Sequence, residues 1–201
     1  MADRLAADPA GIARAAELLR AGELVAFPTD TVYGIGCRTG DDAAVARIFA
    51  AKRRDPEKAI PWLVATRDEV AGSGFRVDER ALRLAESFWP GALTLVLPAV
   101  DGGATQAFRV PAHDVALALL AAAGPMAVSS ANRSGEPETL DADDVAIAFA
   151  DSEEPSAILD GGQVPGGVAS SLLDLSGPRA RLLRDGAVSR AQIEGLIGPI
   201  D

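Results

Sequence analysis

One sheet of mixed strand direction flanked by helices, in the α/β (α+β) class, is the fold this sequence predicts. Three observations predict it. Short apolar runs ended by proline or glycine read as buried strands, and apolar stripes opened by Asp or Ser read as helices. The two kinds intermix without the strict alternation of a purely parallel sheet. With 201 residues, 48% of them apolar, the chain can bury one substantial core. It fits a single domain or one domain with a small appendage.

The first helix opens at Asp8-Pro9, carries Ile12, Ala15, Ala16, Leu18 and Leu19 on its stripe, and stops at Gly22. Leu24 to Phe27 is a buried strand ended by Pro28. It delivers Thr29, Asp30, Thr31 and Tyr33 into a loop whose backbone Gly34 and Gly36 leave approachable. Asp41 or Asp42 caps a second helix through Val45, Ile48 and Phe49, which puts Lys52 and Arg54 at its C-terminal end or just beyond. Ile60 to Val64 reads as a strand, and Asp78 starts a helix through Leu82, Leu84 and Phe88. Trp89-Pro90-Gly91 breaks that helix before the strand Leu93 to Leu97, and Asp101-Gly102-Gly103 marks a loop.

Phe108-Arg109-Val110 is a short strand ended by Pro111, Val115 to Ala122 is a helix stopped by Gly124-Pro125, and Met126-Ala127-Val128 is the next strand. The chain from Ser129 to Asp141 is small and polar, a loop, after which Asp141 caps a helix around Val145 to Phe149. Ala157-Ile158-Leu159 leads into the glycine-bearing stretch from Asp160 to Gly167, ahead of Leu172 to Leu175 and the strand Arg181-Leu182-Leu183. Ser189 and Gln192 form a capping box for a last helix built on Ile193, Leu196 and Ile197. Polar loops collect at strand ends, where open sheets bind ligands.

A formal charge of −10 opposes the broad basic footprint of a duplex-binding protein, so any RNA contact is local. Cys37 and His113 each stand alone. That excludes an intramolecular disulfide framework and a thiolate-rich zinc site, and makes magnesium, bound by oxygens and phosphates, the expected metal. The N-terminus lacks a secretory layout and no stretch is apolar enough to span a bilayer. The expectation is a cytoplasmic protein without membrane contact.

Against this acidic background Lys52-Arg53-Arg54, with Lys58 close behind, concentrates cations in one place. Such a cluster suits a pocket for a small, strongly anionic ligand, of which a nucleoside triphosphate is the commonest example. A helix C-terminus also favours cations, by roughly 0.3–1 kcal/mol each, but three in succession exceed what the dipole asks for. Ser130-Ala131-Asn132 is either an ordinary turn or a set of uncharged hydrogen-bonding groups. Arg109 makes a surface salt bridge or, buried between Phe108 and Val110, needs a real anionic partner. His113, at a helix start, suits a polar cap or surface residue, Cys37 a small packed side chain, and Asp160-Gly161-Gly162 a turn or part of a metal site.

Phe27-Pro28-Thr29-Asp30-Thr31-Val32-Tyr33-Gly34-Ile35-Gly36-Cys37 is joined in order by five further blocks. They are Lys52-Arg53-Arg54, Phe88-Trp89-Pro90-Gly91, Arg109-Val110-Pro111, Ser130-Ala131-Asn132-Arg133-Ser134-Gly135 and Leu183-Arg184-Asp185-Gly186. Together they resemble the YrdC family, in its short single-domain form, over nearly the whole chain. The resemblance implies a twisted mixed sheet around a concave cationic cavity and L-threonylcarbamoyladenylate synthase activity, a nucleotidyl transfer. L-threonine, bicarbonate and ATP, with Mg²⁺ carried by the ATP phosphates, would give threonylcarbamoyl-AMP and pyrophosphate. The product would pass to the tRNA threonylcarbamoyl-transferase machinery.

The same resemblance implies that Lys52 and Arg54 are catalytic and bind ATP together with Lys58, Thr105, Ser130, Asn132 and Arg184. It assigns threonine to Thr31, Arg109, Ser130 and Ser170. The chain departs from the family pattern at Leu63, where many members carry a histidine, and at Ser129, which replaces a proline. Ser170-Ser171-Leu172 replaces Ser-Thr-Ile, and Leu140 falls near a family threonine, with Thr139 beside it. Two other readings remain: an RNA-binding paralogue without synthase activity, and a carbamoyl-adenylate-forming domain related to hydrogenase maturation.

Overall fold

Residues 2–55, 58–166 and 168–201 are described by the computed structural model. Asp8 caps α1 (Pro9–Arg20), its carboxylate accepting from Gly11 N at 2.8 Å, with proline in the first turn where no N–H is missed. Ahead of it lies β1 (Asp3–Ala6), a strand the sequence does not signal, because its residues are mostly exposed and do not alternate. Its pairing with a distant strand creates it.

β2 (Val25–Phe27) and β3 (Gly34–Arg38) pair antiparallel, with Phe27 opposite Gly34 and Val25 opposite Gly36. This corrects the expectation that both glycines lie in the loop. Their role is close packing: a Cβ on Gly34 would sit 2.7 Å from Val128 Cγ1, and one on Gly36 3.0 Å from Val128 Cγ2. We therefore expect Gly34→Ala to cost about 1–3 kcal/mol of unfolding free energy, read by urea denaturation, through overpacking. An unchanged midpoint would mean that Val128 moves aside freely.

α2 (Asp42–Lys52) is capped by Asp41, which accepts from Ala44 N at 2.9 Å, and is closed by Arg53 in a left-handed conformation with φ 51°. β4 (Trp62–Leu63) is shorter than the expected strand over 60–64, and α3 (Arg67–Ala71), a single short turn, was not expected. α4 (Glu79–Phe88) follows its cap Asp78 and precedes β5 (Leu93–Pro98). β6 (Thr105–Arg109) starts earlier than predicted and leaves Val110 just outside, and α5 (Asp114–Ala123) ends at Gly124. β7 (Met126–Ser130) runs two residues into the predicted loop. After it come α6 (Ala142–Ala148), capped by Asp141, β8 (Ala157–Asp160), β9 (Ser171–Asp174) and β10 (Arg181–Arg184). The last element, α7 (Arg190–Ile197), has both hydrogen bonds of the Ser189–Gln192 capping box.

The ten strands form one sheet in the order β1-β8-β2-β3-β7-β4-β6-β5-β9-β10. Pairs β1·β8, β2·β8, β4·β6 and β5·β9 are parallel and the others antiparallel, the mixed pattern predicted. Period-two alternation splits the core. Leu24, Ala26 and Ile35 pack with α2 and α6 through Ile48 and Val145, whereas Val25, Phe27 and Val128 pack with α1 and α5 through Leu19 and Leu119. A third cluster joins α4 and α7 to β5, β6 and β9 through Leu84, Leu93, Phe108, Leu173 and Ile193. Each large apolar side chain buried this way contributes about 1.5–3 kcal/mol.

The register also places the site. Gly34 lies opposite Ser130, Leu63 opposite both Met126 and Arg109, and the alternation puts Thr94 on the side of Arg109. These residues therefore share one face of the sheet. The strand directions put Ser130 towards one end of that face and Arg109 and Arg184 towards the other. The functional face thus spans the sheet and does not follow one row of strand ends.

Candidate functional site

Pro28 ends β2 because it cannot donate to the ladder, and the residues after it fold into a hydroxyl-stabilised turn. Thr29 Oγ1 accepts from Thr31 N at 3.2 Å and Val32 N at 3.3 Å and donates to Val32 O at 2.7 Å. Thr31 is thereby held with its hydroxyl 3.2 Å from Arg109 Nη1, which donates to it. Arg109 is 6% exposed and also donates through Nη2 to Asp30 Oδ1 at 2.5 Å and through Nε to Gly91 O at 2.9 Å. The anionic partner a buried Arg109 requires is therefore Asp30. A guanidinium has five N–H donors, so part of its capacity stays available to the cavity.

Across that cavity Thr94 Oγ1 and Ser170 Oγ share a hydrogen bond of 2.8 Å. Arg184 donates to Ser170 O at 2.9 Å and to Ser170 Oγ at 3.1 Å. Burial, then the charges of Arg109 and Arg54, lower the Arg184 pKa, while Glu138 opposes them. Arg54, Arg109 and Arg184 thus converge on one cavity of about 170 Å³ that Thr31, Ser129, Ser130 and Ser170 also line. Arg54 Nη2 donates to Ala59 O at 3.2 Å, and its Nε is buried without a partner.

Lys52 stands behind this wall and is not among the lining residues. It is 1% exposed, and its ammonium donates to Ser130 O at 2.5 Å and to Asn132 O. Burial, then the Arg54 charge, lowers its pKa to about 8. Asn132 donates through Nδ2 to Glu136 O at 2.7 Å, and its Oδ1 is buried and unpartnered, as is Thr139 Oγ1. Buried acceptors without partners are costly and mark places where a ligand donor fits.

The structure does not bring Lys58 or Thr105 to this cavity. Lys58 lies against a separate groove with Phe49 and Trp62. Thr105 is exposed at the far end of β6, four residues and roughly 13 Å along the strand from Arg109. Arg53 faces outward and pairs with Asp151 at 3.0 Å.

His113 sits at the cap position of α5, as the polar-cap alternative expected, but its side chain makes no cap hydrogen bond. Its Nδ1 is buried without a partner and burial lowers its pKa. Cys37 is a packed side chain whose thiol burial pushes up to about 12. Asp160 Oδ1 accepts from Gly162 N at 3.0 Å, so Asp160-Gly161-Gly162 is a turn. Leu63 presents an apolar wall where a histidine would have offered a hydrogen bond.

Among the polar residues that line the cavity, sequence reasoning gave no ligand role to Thr29, Thr94, Ser129 or Glu138. Thr94 had a signal, being the lone polar side chain in the apolar run Leu93 to Leu97. Glu138, in the loop after β7, had none.

Three guanidiniums converging with neutral hydroxyls on one cavity, which neither Asn132 nor Thr139 lines, define a binder of a small, multiply anionic ligand. The chain belongs to the Sua5/YciO/YrdC family, described as "Telomere recombination", whose profile matches residues 17–186. A Mycobacterium leprae relative is 40% identical over 94% of this chain and 89% of its own length. The threonylcarbamoyl-AMP synthase of Bacillus subtilis is 39% identical over 98% of this chain, which spans 60% of that protein. The crystal structure of Pyrococcus abyssi Sua5 complexed with L-threonine superposes with a TM-score of 0.89 at 37% identity, covering 100% of this chain and 62% of that one.

Proposed function

We propose that this protein is an L-threonylcarbamoyladenylate synthase that serves threonylcarbamoyladenosine formation in tRNA. The convergence of Arg54, Arg109 and Arg184 on one hydroxyl-lined cavity, in a chain of this family, carries the reading. The synthase name of the Bacillus relative and the L-threonine complex of the Pyrococcus protein support it.

In the proposed reaction bicarbonate takes up a proton and gives CO2 and water, and the threonine amine adds to the CO2 and loses a proton, leaving a carbamate, so that water is the net by-product. A carbamate oxygen attacks the α-phosphorus of ATP, the bond from that phosphorus to the bridging oxygen breaks, and pyrophosphate leaves. No protein nucleophile is needed, so the work is positioning and charge stabilisation. Arg109 and Thr31, with Ser170, hold the threonine end. Arg54 and Arg184 face the phosphates, while Ser130 and Asn132 hydrogen-bond the nucleotide. Lys52 fixes the carbonyls of Ser130 and Asn132 and thereby the loop that carries those groups.

Among the described residues no group of three His, Cys, Asp or Glu could hold a metal ion, and Glu138 is the one carboxylate lining the cavity. That donor set fits Mg²⁺ arriving on the phosphates, where it would neutralise charge on departing pyrophosphate. Transfer of the product to a tRNA-modifying partner, a local RNA contact and a cytoplasmic setting belong to the same proposal. No helix among the described residues is long and apolar enough to cross a membrane.

The expected result is pyrophosphate release with ATP and Mg²⁺ only when L-threonine and bicarbonate are both present. Threonine-independent release with carbamoyl phosphate would transfer the assignment to carbamoyl-adenylate chemistry. Tight RNA binding with no pyrophosphate release would leave an RNA-binding paralogue.

A further inference from the structure

We infer that Arg133 is a positioning residue for the nucleotide half of the cavity, one buried guanidinium that ties the ends of α2 and α6 to the loop after β7. It follows Asn132 directly and is 7% exposed. Nε donates to Ala148 O at 2.9 Å and Nη1 to Ala51 O at 3.1 Å, while Nη2 pairs with Asp151. Its Cζ lies 5.8 Å from the centroid of the Phe149 ring. Ala51 and Ala148 belong to the last turns of α2 and α6, where carbonyls have no intrahelical partner and a cation is favoured. Only a planar fork reaches two carbonyls and a carboxylate at once, and an ammonium on a flexible stem does not reproduce it.

The same linkage runs on to the cationic motif. Asp151 also accepts from Arg53, the left-handed residue that closes α2. On the cavity side Lys52 donates to the carbonyls of Ser130 and Asn132, and Ser134 N donates back to Lys52 O at 3.0 Å. The end of α2 and the loop after β7 are therefore cross-tied from front and back. Arg54 Nε and Asn132 Oδ1, both buried without partners, ride on these two arms. Thr31, Arg109 and Ser170 are held by Asp30, Gly91, Thr94 and Arg184, none of which touches Arg133. Loosening the clamp should consequently weaken one half of the cavity and spare the other.

The test rests on the synthase reading for its ligands. Arg133→Lys is titrated calorimetrically with a non-hydrolysable ATP analogue in Mg²⁺ and, separately, with L-threonine. We expect the analogue Kd to rise about 10-fold, and the threonine Kd to stay within about twofold of wild type. Exchange of the Ser134 amide should also quicken. A folded Arg133→Lys with unchanged analogue affinity, or with equal loss for both ligands, overturns the assignment.

Should Arg133→Lys fail to fold, Asp151→Asn reads the same link from a carboxylate that is 62% exposed. There the analogue Kd should rise about threefold, and wild-type affinity would overturn the clamp. A wild-type protein that binds neither ligand defeats the synthase reading alone. The clamp is then judged by exchange, and a Ser134 amide no faster in Arg133→Lys sinks it.

Discussion

Arg109→Lys is expected to give a folded protein whose KM for L-threonine is raised on the order of 100-fold with little change in the KM for ATP. The substitution keeps the charge beside Asp30 but loses the fork that reaches Asp30, Thr31 and Gly91 together. Directional donors aimed at a carboxylate are lost, while Arg54 and Arg184 still face the phosphates. Arg109→Ala is the harsher variant. It leaves Asp30, whose side chain is 14% exposed, without its cation, and breaking a buried pair costs about 3–5 kcal/mol. The Lys variant therefore separates binding from folding. Initial-rate pyrophosphate assays at varied threonine and varied ATP decide it, and a threonine KM equal to wild type would remove Arg109 from the substrate site.

Lys52→Met should lower turnover by about 10²–10³-fold while leaving a folded protein. The two carbonyls that Lys52 holds would lose their donor, and the Ser130–Asn132 loop would drift. Misplacement of about 1 Å near a reacting centre costs on the order of 10²-fold. The fold survives because the unmet carbonyls, about 1–3 kcal/mol each, are offset by removal of a buried charge.

The buried amine also predicts a pH signature. Its pKa falls from 10.5 to about 8 on folding. Between those values the unfolded chain binds the proton more tightly, so stability rises with pH across that window. Below about 8 the folded state carries the full penalty, on the order of 3 kcal/mol. Cys37 acts in the opposite sense. Its thiol moves from 9.0 to about 12 on folding, so its contribution is lost as pH climbs through that range. Subtracting the Lys52→Met curve from wild type cancels Cys37 and isolates Lys52. A flat difference between about pH 8 and 10.5 would contradict the buried-amine account.

Both variants concern groups whose identity was legible in the sequence and whose use was not. Lys52 reads as a cation aimed at phosphate, yet its ammonium turns inward onto the carbonyls of a loop 78 and 80 residues away. Arg109 reads as a buried arginine in search of an anion, and Asp30, 79 residues away, answers it. The resemblance assigns Lys58 and Thr105 to ATP, but neither is among the residues that line the cavity.

The sequence by itself determined five of the seven helix starts among the described residues, since Asp8, Asp41, Asp78, Asp141 and Ser189 each cap a backbone N–H about three residues on, whereas α3 and α5 start without a side-chain cap bond. It also determined most strands, through apolar runs punctuated by proline and glycine, and the mixed character of the sheet. Only the tertiary structure decided that Asp3–Ala6 is a strand, that Gly34 and Gly36 pack under Val128, and that Arg54, Arg109 and Arg184 share one hollow. Caps and alternation act over a few residues and are written where they act. Strand partners, buried ion pairs and convergent charges arise between segments far apart in the chain, and exist only once the sheet has set their register.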